Sequence, residues 1–354
     1  MVLGIRARLA ATAAAVLLLT TLGGLATASA ATGPDPRTSG SGPVRCTPFG
    51  SAVATAPGAR ADQKITGTLC RPRSTHARTV QLLLHGGTYD RSYWTRRGDP
   101  RGPSYVEAAG RAGLATLAVD RLGTGRSSAP HSSRFTDRTH ELVTLQLIRK
   151  LRRAGYDKVI LVGHSFGATV ARMVAVRHPE EVDGLILTGE GSPPNHKAFE
   201  QMGGLYLPAN RHPLLARRGL DDGYTSLRTG GKADWFYDLR TTDPGVLLTD
   251  EFTTEPDVYP ADPAYGDVAL NRRIRVPVLV VVGERDKLIC GAPGSDCSSS
   301  AALRASAAPL YGPKARLEAL AVPATGHVLN LHRTAPLWYA YAQEWANRRV
   351  GGGS

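Results

Sequence analysis

The run Val159-Ile160-Leu161-Val162-Gly163-His164-Ser165-Phe166-Gly167 leaves the backbone few options. Four consecutive apolar residues, three of them β-branched, suit a central strand buried on both faces. The Ala- and Val-rich stretch after Gly167 reads as a helix. A strand that passes straight into a helix needs a turn so tight that neighbouring side chains would collide, and the glycines at 163 and 167 meet that need. Held in such a turn, the Ser165 hydroxyl projects above the end of the sheet.

The same texture recurs along the chain. Short apolar runs at 79–84, 114–119, 158–162, 184–187, 277–282 and 316–322 read as strands. Helical patterns lie between them at 105–112, 139–154 and 167–178, and a closing helix at 335–348 carries Leu337, Tyr341 and Trp345 at four-residue steps. Continuous rather than alternating strands, interleaved with helices, predict an α/β fold: a mostly parallel sheet flanked by helices. The segment 193–270 breaks the alternation. It has no strong strand pattern, is rich in Pro and Gly, and holds nine aromatic residues, nearly twice its share. It reads as a lid or cap inserted between two core strands, with some rings forming its own small core and the rest lining an apolar pocket.

The N-terminus has its own logic. Arg6 and Arg8 precede an uncharged, partly apolar stretch that ends in Ala28-Ser29-Ala30, the pattern of a secretory signal cut after Ala30. A membrane anchor is the competing reading, but Ala, Thr and Gly dilute the apolar character. The expectation is therefore a secreted protein with no stable membrane insertion after cleavage. The organisation expected is a signal peptide at 1–30, a leader at 31–62 running into the start of the core, core at 63–192, lid at 193–270 and core again at 271–350.

Four cysteines in an exported chain favour two disulfides. Of the three possible pairings, sequence proximity favours Cys46–Cys70 and Cys290–Cys297. A metal site lacks a C-x-x-C pair or a histidine cluster to support it. The formal net charge of +13 comes from scattered basic residues without interleaved aromatics or a nucleic-acid-binding motif, so a basic solvated surface is expected and no nucleic-acid partner.

A serine hydroxyl is a poor nucleophile near neutral pH and needs a base within hydrogen-bond reach. Ala324-Thr325-Gly326-His327 follows the last strand, which makes His327 the expected base, with His332 as runner-up. His85 and His164 read as structural. Asp286, just beyond the strand 277–282, is the expected acid and completes the chain order Ser, Asp, His; Glu190, after the preceding strand, is the alternative. An oxyanion formed at the serine would need two N–H donors. Phe166, at the start of the helix, supplies one, and Gly87 of Leu84-His85-Gly86-Gly87-Thr88 the other, with Thr88 as fallback.

These residues together resemble the α/β-hydrolase superfamily over roughly 64–350. His85-Gly86 with Trp94 is similar to the family's HG…W segment, and Asp120-Arg121-Leu122-Gly123-Thr124-Gly125-Arg126-Ser127 to its D-x-x-G-x-G-x-S turn. Arg177-His178-Pro179 followed by 182–187 resembles the link to the next strand. The resemblance implies acyl transfer through Ser165 without metal or organic cofactor, and a serine there argues against the superfamily members that use an aspartate nucleophile. An ester or lactone of an apolar small molecule is the expected substrate. The rivals are a peptidase, amidase or thioesterase on the same triad, and a catalytically idle binding protein of the same fold. Oligomeric state is not legible.

Overall fold

The computed structural model describes residues 42–95, 99 and 102–351. The expected signal peptide and residues 31–41 of the expected leader lie outside the described residues. Among the described residues ten strands occur: β1 (Val44–Val53), β2 (Gln63–Pro72), β3 (Thr79–Leu84), β4 (Ala115–Val119), β5 (Lys158–His164), β6 (Gly184–Thr188), β7 (Tyr206–Pro208), β8 (Thr225–Leu227), β9 (Val278–Gly283) and β10 (Glu318–Val322). Eight form one sheet in the order β1-β2-β4-β3-β5-β6-β9-β10, and β7 pairs with β8 alone. Every neighbour from β4 to β10 runs parallel, whereas β2 is antiparallel to both β1 and β4. The sheet is thus mostly parallel, as the apolar runs predict.

Burial explains the sequence texture. β3, β4, β6 and β9 are buried at every residue, and β5 at every residue after Lys158. A strand covered on both faces has no polar side to show, so the alternation is lost. β1 is largely exposed at the sheet edge and β2 alternates, which is why neither stands out as an apolar run. Cys46 and Cys70 face each other in the β1–β2 register and are joined, as are Cys290 and Cys297. Both pairings match the sequence expectation.

The helices are α1 (Tyr105–Arg111), α2 (Thr139–Arg153), α3 (Phe166–Arg177), α4 (His196–Gly203), α5 (Gly231–Phe236), α6 (Pro244–Glu251), α7 (Ser300–Ala307) and α8 (Ala335–Ala346). They cover both faces of the sheet. On β5 the Cα of Gly163 faces the α3 backbone at Ala168, while Ile160, of opposite parity, packs beside Trp345 of α8 around Gly184. The buried stripe of α8 differs from the one read in the sequence. Trp345 is buried as expected, but Leu337 is 57% exposed, and Trp338, Tyr339, Ala342 and Ala346 join Trp345 on the core side. A strict four-residue step drifts around a 3.6-residue helix, whereas mixed steps of three and four stay on one side.

Between β6 and β9 the chain leaves the sheet and builds α4, the β7–β8 pair, α5 and α6. The two strands are three residues long, too short to register as apolar runs. A second small apolar cluster of Ala209, Leu215 and Tyr224 lies within this segment. Parallel topology sets the site: in open α/β sheets, functional loops gather at the carboxyl ends of the strands. Here those are the loops after β3, β5, β6, β9 and β10.

Candidate active site

Ser165 sits between β5 and α3 with φ 49° and ψ −119°, in the left-handed region that costs a residue with a side chain of the order of 1–3 kcal/mol. The surroundings hold it there. Its N–H donates to Thr188 O on β6 at 2.8 Å, and its carbonyl accepts from Ala168 and Thr169 N–H at 2.8 and 3.0 Å. A Cβ at Gly163 would strike the backbone of Gly167 and Ala168, and one at Gly167 would strike the carbonyls of Leu84 and His85. The first amide of α3, Phe166 N–H, lies ahead of the intrahelical hydrogen-bond ladder.

The neighbouring strands β9 and β10 bring Asp286 and His327 together. Glu284 N–H donates to Val322 O at 2.9 Å and Arg285 N–H to Thr325 O at 2.8 Å, lacing the two loops. A side chain at Gly283 would collide with the carbonyls of Thr325 and Gly326. Asp286 is fully buried; one carboxylate oxygen accepts from Leu288 N–H at 3.0 Å and the other meets His327 Nδ1 at 2.8 Å. A buried carboxylate at that distance keeps the proton on Nδ1 and leaves Nε2 as the basic nitrogen. Nε2 is buried and has no hydrogen-bond partner among the described residues, the Ser165 hydroxyl included. Such contacts are often long before substrate is bound.

Ser165, Phe166, Gly87 and His327 line one cavity of about 480 Å³. Its walls are largely apolar and include Phe199, Tyr206, Phe236, Tyr259 and Tyr265 from the segment between β6 and β9. Five of that segment's nine aromatic residues therefore face the cavity, while Phe252 is 58% exposed.

The other residues weighed from sequence have different surroundings. His164 is buried, stacks on Tyr93 with ring centroids 4.5 Å apart, and contacts Thr188 Oγ1 at 3.1 Å. Desolvation, then the neighbouring His327, holds its pKa well below the ordinary value. His85 bridges Gly86 O and Thr124 Oγ1 and accepts from Arg121 N–H. His332 uses both ring nitrogens on the backbone, Nδ1 on Val328 O and Nε2 on the amides of Asp238 and Gly326. Glu190 lies 3.1 Å from Arg172 Nε in a buried pair, and burial raises its carboxyl pKa despite that partner. Thr88 is buried with φ 68°.

Several contributors carry no local sequence signal. Arg121 is buried; its guanidinium donates to the carbonyls of His85 at 2.9 Å and Gly86 at 3.1 Å, pairs with Asp257, and lies 4.7 Å over the Phe166 ring. It thereby fixes the backbone leading into Gly87. Asp257 comes from a segment 136 residues away, so only the fold unites them. Among the described residues, no group of three or more His, Cys, Asp or Glu is arranged to hold a metal ion, and no helix is long and apolar enough to cross a membrane.

Comparison with known proteins places this geometry. The chain is similar to the carboxylesterase CesB from Bacillus subtilis, with a TM-score of 0.57 at 16% identity over 86% of this chain and 92% of that one. It is similar also to the enol-lactonase from Burkholderia xenovorans, with a TM-score of 0.57 at 17% identity over 84% and 100%. In sequence it is 28% identical over 195 residues to a proline iminopeptidase from Thermoplasma volcanium, covering 50% of this chain and 65% of the relative. It is 31% identical over 122 residues to a probable lysophospholipase, BODYGUARD 2, from Arabidopsis thaliana, covering 34% and 24%. The chain thus spans between about a quarter and two thirds of the length of these curated relatives. The model of the Alpha/beta hydrolase family matches residues 81–340, and this chain belongs to that family.

Proposed function

We propose that this protein is an exported serine hydrolase that cleaves a carboxylic ester or lactone of an apolar small molecule. One observation carries the reading: a buried Asp286–His327 pair at 2.8 Å, with His327 and Ser165 lining the same apolar cavity. In the first step Ser165 Oγ bonds to the carbonyl carbon and its proton passes to His327 Nε2. The carbonyl electron pair moves onto oxygen, where the N–H groups of Gly87 and Phe166 receive it. Collapse expels the alcohol, which takes the proton from His327. Water then repeats the sequence on the acyl-enzyme and releases the acid. Asp286 keeps the imidazole in the productive tautomer throughout.

The segment between β6 and β9 acts in this reading as a lid that supplies the aromatic walls. Two disulfides and the signal-like N-terminus support export. Amide hydrolysis on the same residues is the second reading, favoured by the similarity to proline iminopeptidase. Against it, Glu190 on the cavity wall is paired through one oxygen with Arg172, which offsets the charge a substrate amine would need.

Ser165→Ala tests the proposal. The variant is expected to lose hydrolysis of short p-nitrophenyl esters by at least about a thousandfold, with its thermal midpoint nearly unchanged. A fluorophosphonate probe should label the wild type at Ser165 and leave the variant unlabelled. An alanine variant with full activity refutes the assignment, and a preference for aminoacyl p-nitroanilides over esters transfers it to the peptidase reading.

A further inference from the structure

We propose that the Tyr259 hydroxyl is a third donor to the oxyanion, supplied from the segment between β6 and β9; the inference rests on the serine-hydrolase reading above. Tyr259 touches both residues assigned as backbone donors. Its ring packs against Phe166 with centroids 4.8 Å apart, and its hydroxyl occupies the space that a side chain at Gly87 would take. An added Cβ there would collide with Tyr259 Oη and come within 3.2 Å of Cζ. Ser165, Phe166, Gly87 and Tyr259 all line the same cavity, so the phenol shares it with the nucleophile and both assigned backbone donors.

The surroundings suit a donor. Tyr259 Oη donates to Tyr206 Oη at 3.4 Å, a contact longer than an ordinary O–H···O hydrogen bond. So long a contact holds the Tyr259 proton weakly, and rotation about the C–O bond turns it to a charged acceptor in the cavity. Desolvation, reinforced by Tyr206, pushes the Tyr259 phenol well above its ordinary pKa, so the oxygen keeps its proton across the working range. Arg121 steadies the arrangement, holding the His85 and Gly86 carbonyls and lying over the Phe166 ring. The glycine at 87 has a second reason beyond backbone approach: it leaves room for a phenol. No bond changes at Tyr259; its O–H···O contact strengthens as the carbonyl oxygen gains charge and relaxes when the tetrahedral species collapses.

The test uses the full chain with Tyr259→Phe, which keeps the ring on Phe166 and removes only the oxygen. On p-nitrophenyl butyrate, kcat should fall about tenfold to a hundredfold with KM within threefold, somewhat less than the loss typical of a principal oxyanion donor. Affinity for an aryl trifluoromethyl ketone, whose serine adduct carries the oxyanion, should fall by a factor similar to kcat/KM. The thermal midpoint should stay within a few degrees, which separates a donor from a packing residue. Unchanged kcat and unchanged ketone affinity in a folded Tyr259→Phe overturn the proposal while leaving the serine assignment intact. Activity surviving in Ser165→Ala removes the reading beneath both.

Discussion

His332 Nε2 accepts the amide hydrogen of Gly326 at 3.1 Å, one residue before His327 in the chain. The same nitrogen accepts from Asp238 N–H at 3.0 Å, and Nδ1 meets Val328 O at 2.9 Å. The ring therefore has to be neutral, protonated on Nδ1, with its lone pair shared by two backbone donors. A proton on Nε2 would face both of them. His332 is thus a brace that ties the loop carrying His327 to the segment between β6 and β9.

This brace makes stability depend on pH in a definite direction. Desolvation lowers the His332 pKa in the folded state below its unfolded value near 6.5, and burial, reinforced by Arg121, lowers that of His140 to about 4. The unfolded chain then binds more protons than the folded one, so the stabilisation is full above pH 6.5 and is lost as pH falls toward 4. Thermal midpoints measured from pH 7.5 to 4.5 should fall. His332→Gln should start lower at pH 7.5 and fall less steeply. A variant that tracks the wild type in parallel would show that His332 takes up its proton equally in the folded and unfolded states.

Asp286 holds the tautomer of His327, and Asp286→Asn would present a donor where Nδ1–H needs an acceptor. The imidazole would then turn its proton toward Ser165. The expected loss is about 10³–10⁴-fold in kcat on p-nitrophenyl esters, with KM little changed. Glu190→Gln, by contrast, should leave kcat within about tenfold and lower stability, because it removes the partner of buried Arg172. A reversal of the two kinetic effects would assign the acid's role to Glu190.

Lys232 and Asp250 form a buried ion pair at 3.1 Å, and the same carboxylate accepts from Tyr89 at 2.7 Å and Tyr237 at 2.8 Å. Neither charge is exposed. Lys232→Ala should lower unfolding stability by about 3–5 kcal/mol, read from urea titration, since it strands a desolvated carboxylate. Tyr89 and Phe236 also line the cavity, so esterase activity should fall with it. A loss below about 1 kcal/mol would mean that water reaches Asp250 once the lysine is gone.

Much of the site was legible before any coordinates. The strand–turn–helix around Ser165 is encoded within nine residues, because a tight turn tolerates only glycine beside it. The Asp286 and His327 positions follow from strand ends that a parallel sheet must align. The disulfide pairing follows from proximity along the chain. Less legible was the buried side of α8, where Leu337 faces solvent and Trp338 the core. Apolar spacing alone admits two neighbouring stripes, and the sheet's shape selects one.

What the sequence by itself determined is the backbone that carries the candidate site, since continuous apolar runs and steric demands on glycine are local constraints. Tertiary structure alone decided what surrounds it: Asp257 on Arg121, Tyr259 over Gly87, His332 bracing Gly326. Two of those contacts join residues more than a hundred positions apart, and side chains at such separations leave no periodic trace in the chain. The third spans six residues but needs the His327 loop folded back to make it. Their partners are chosen by packing and by the cost of leaving a buried polar group unsatisfied, and both act only once the fold has closed.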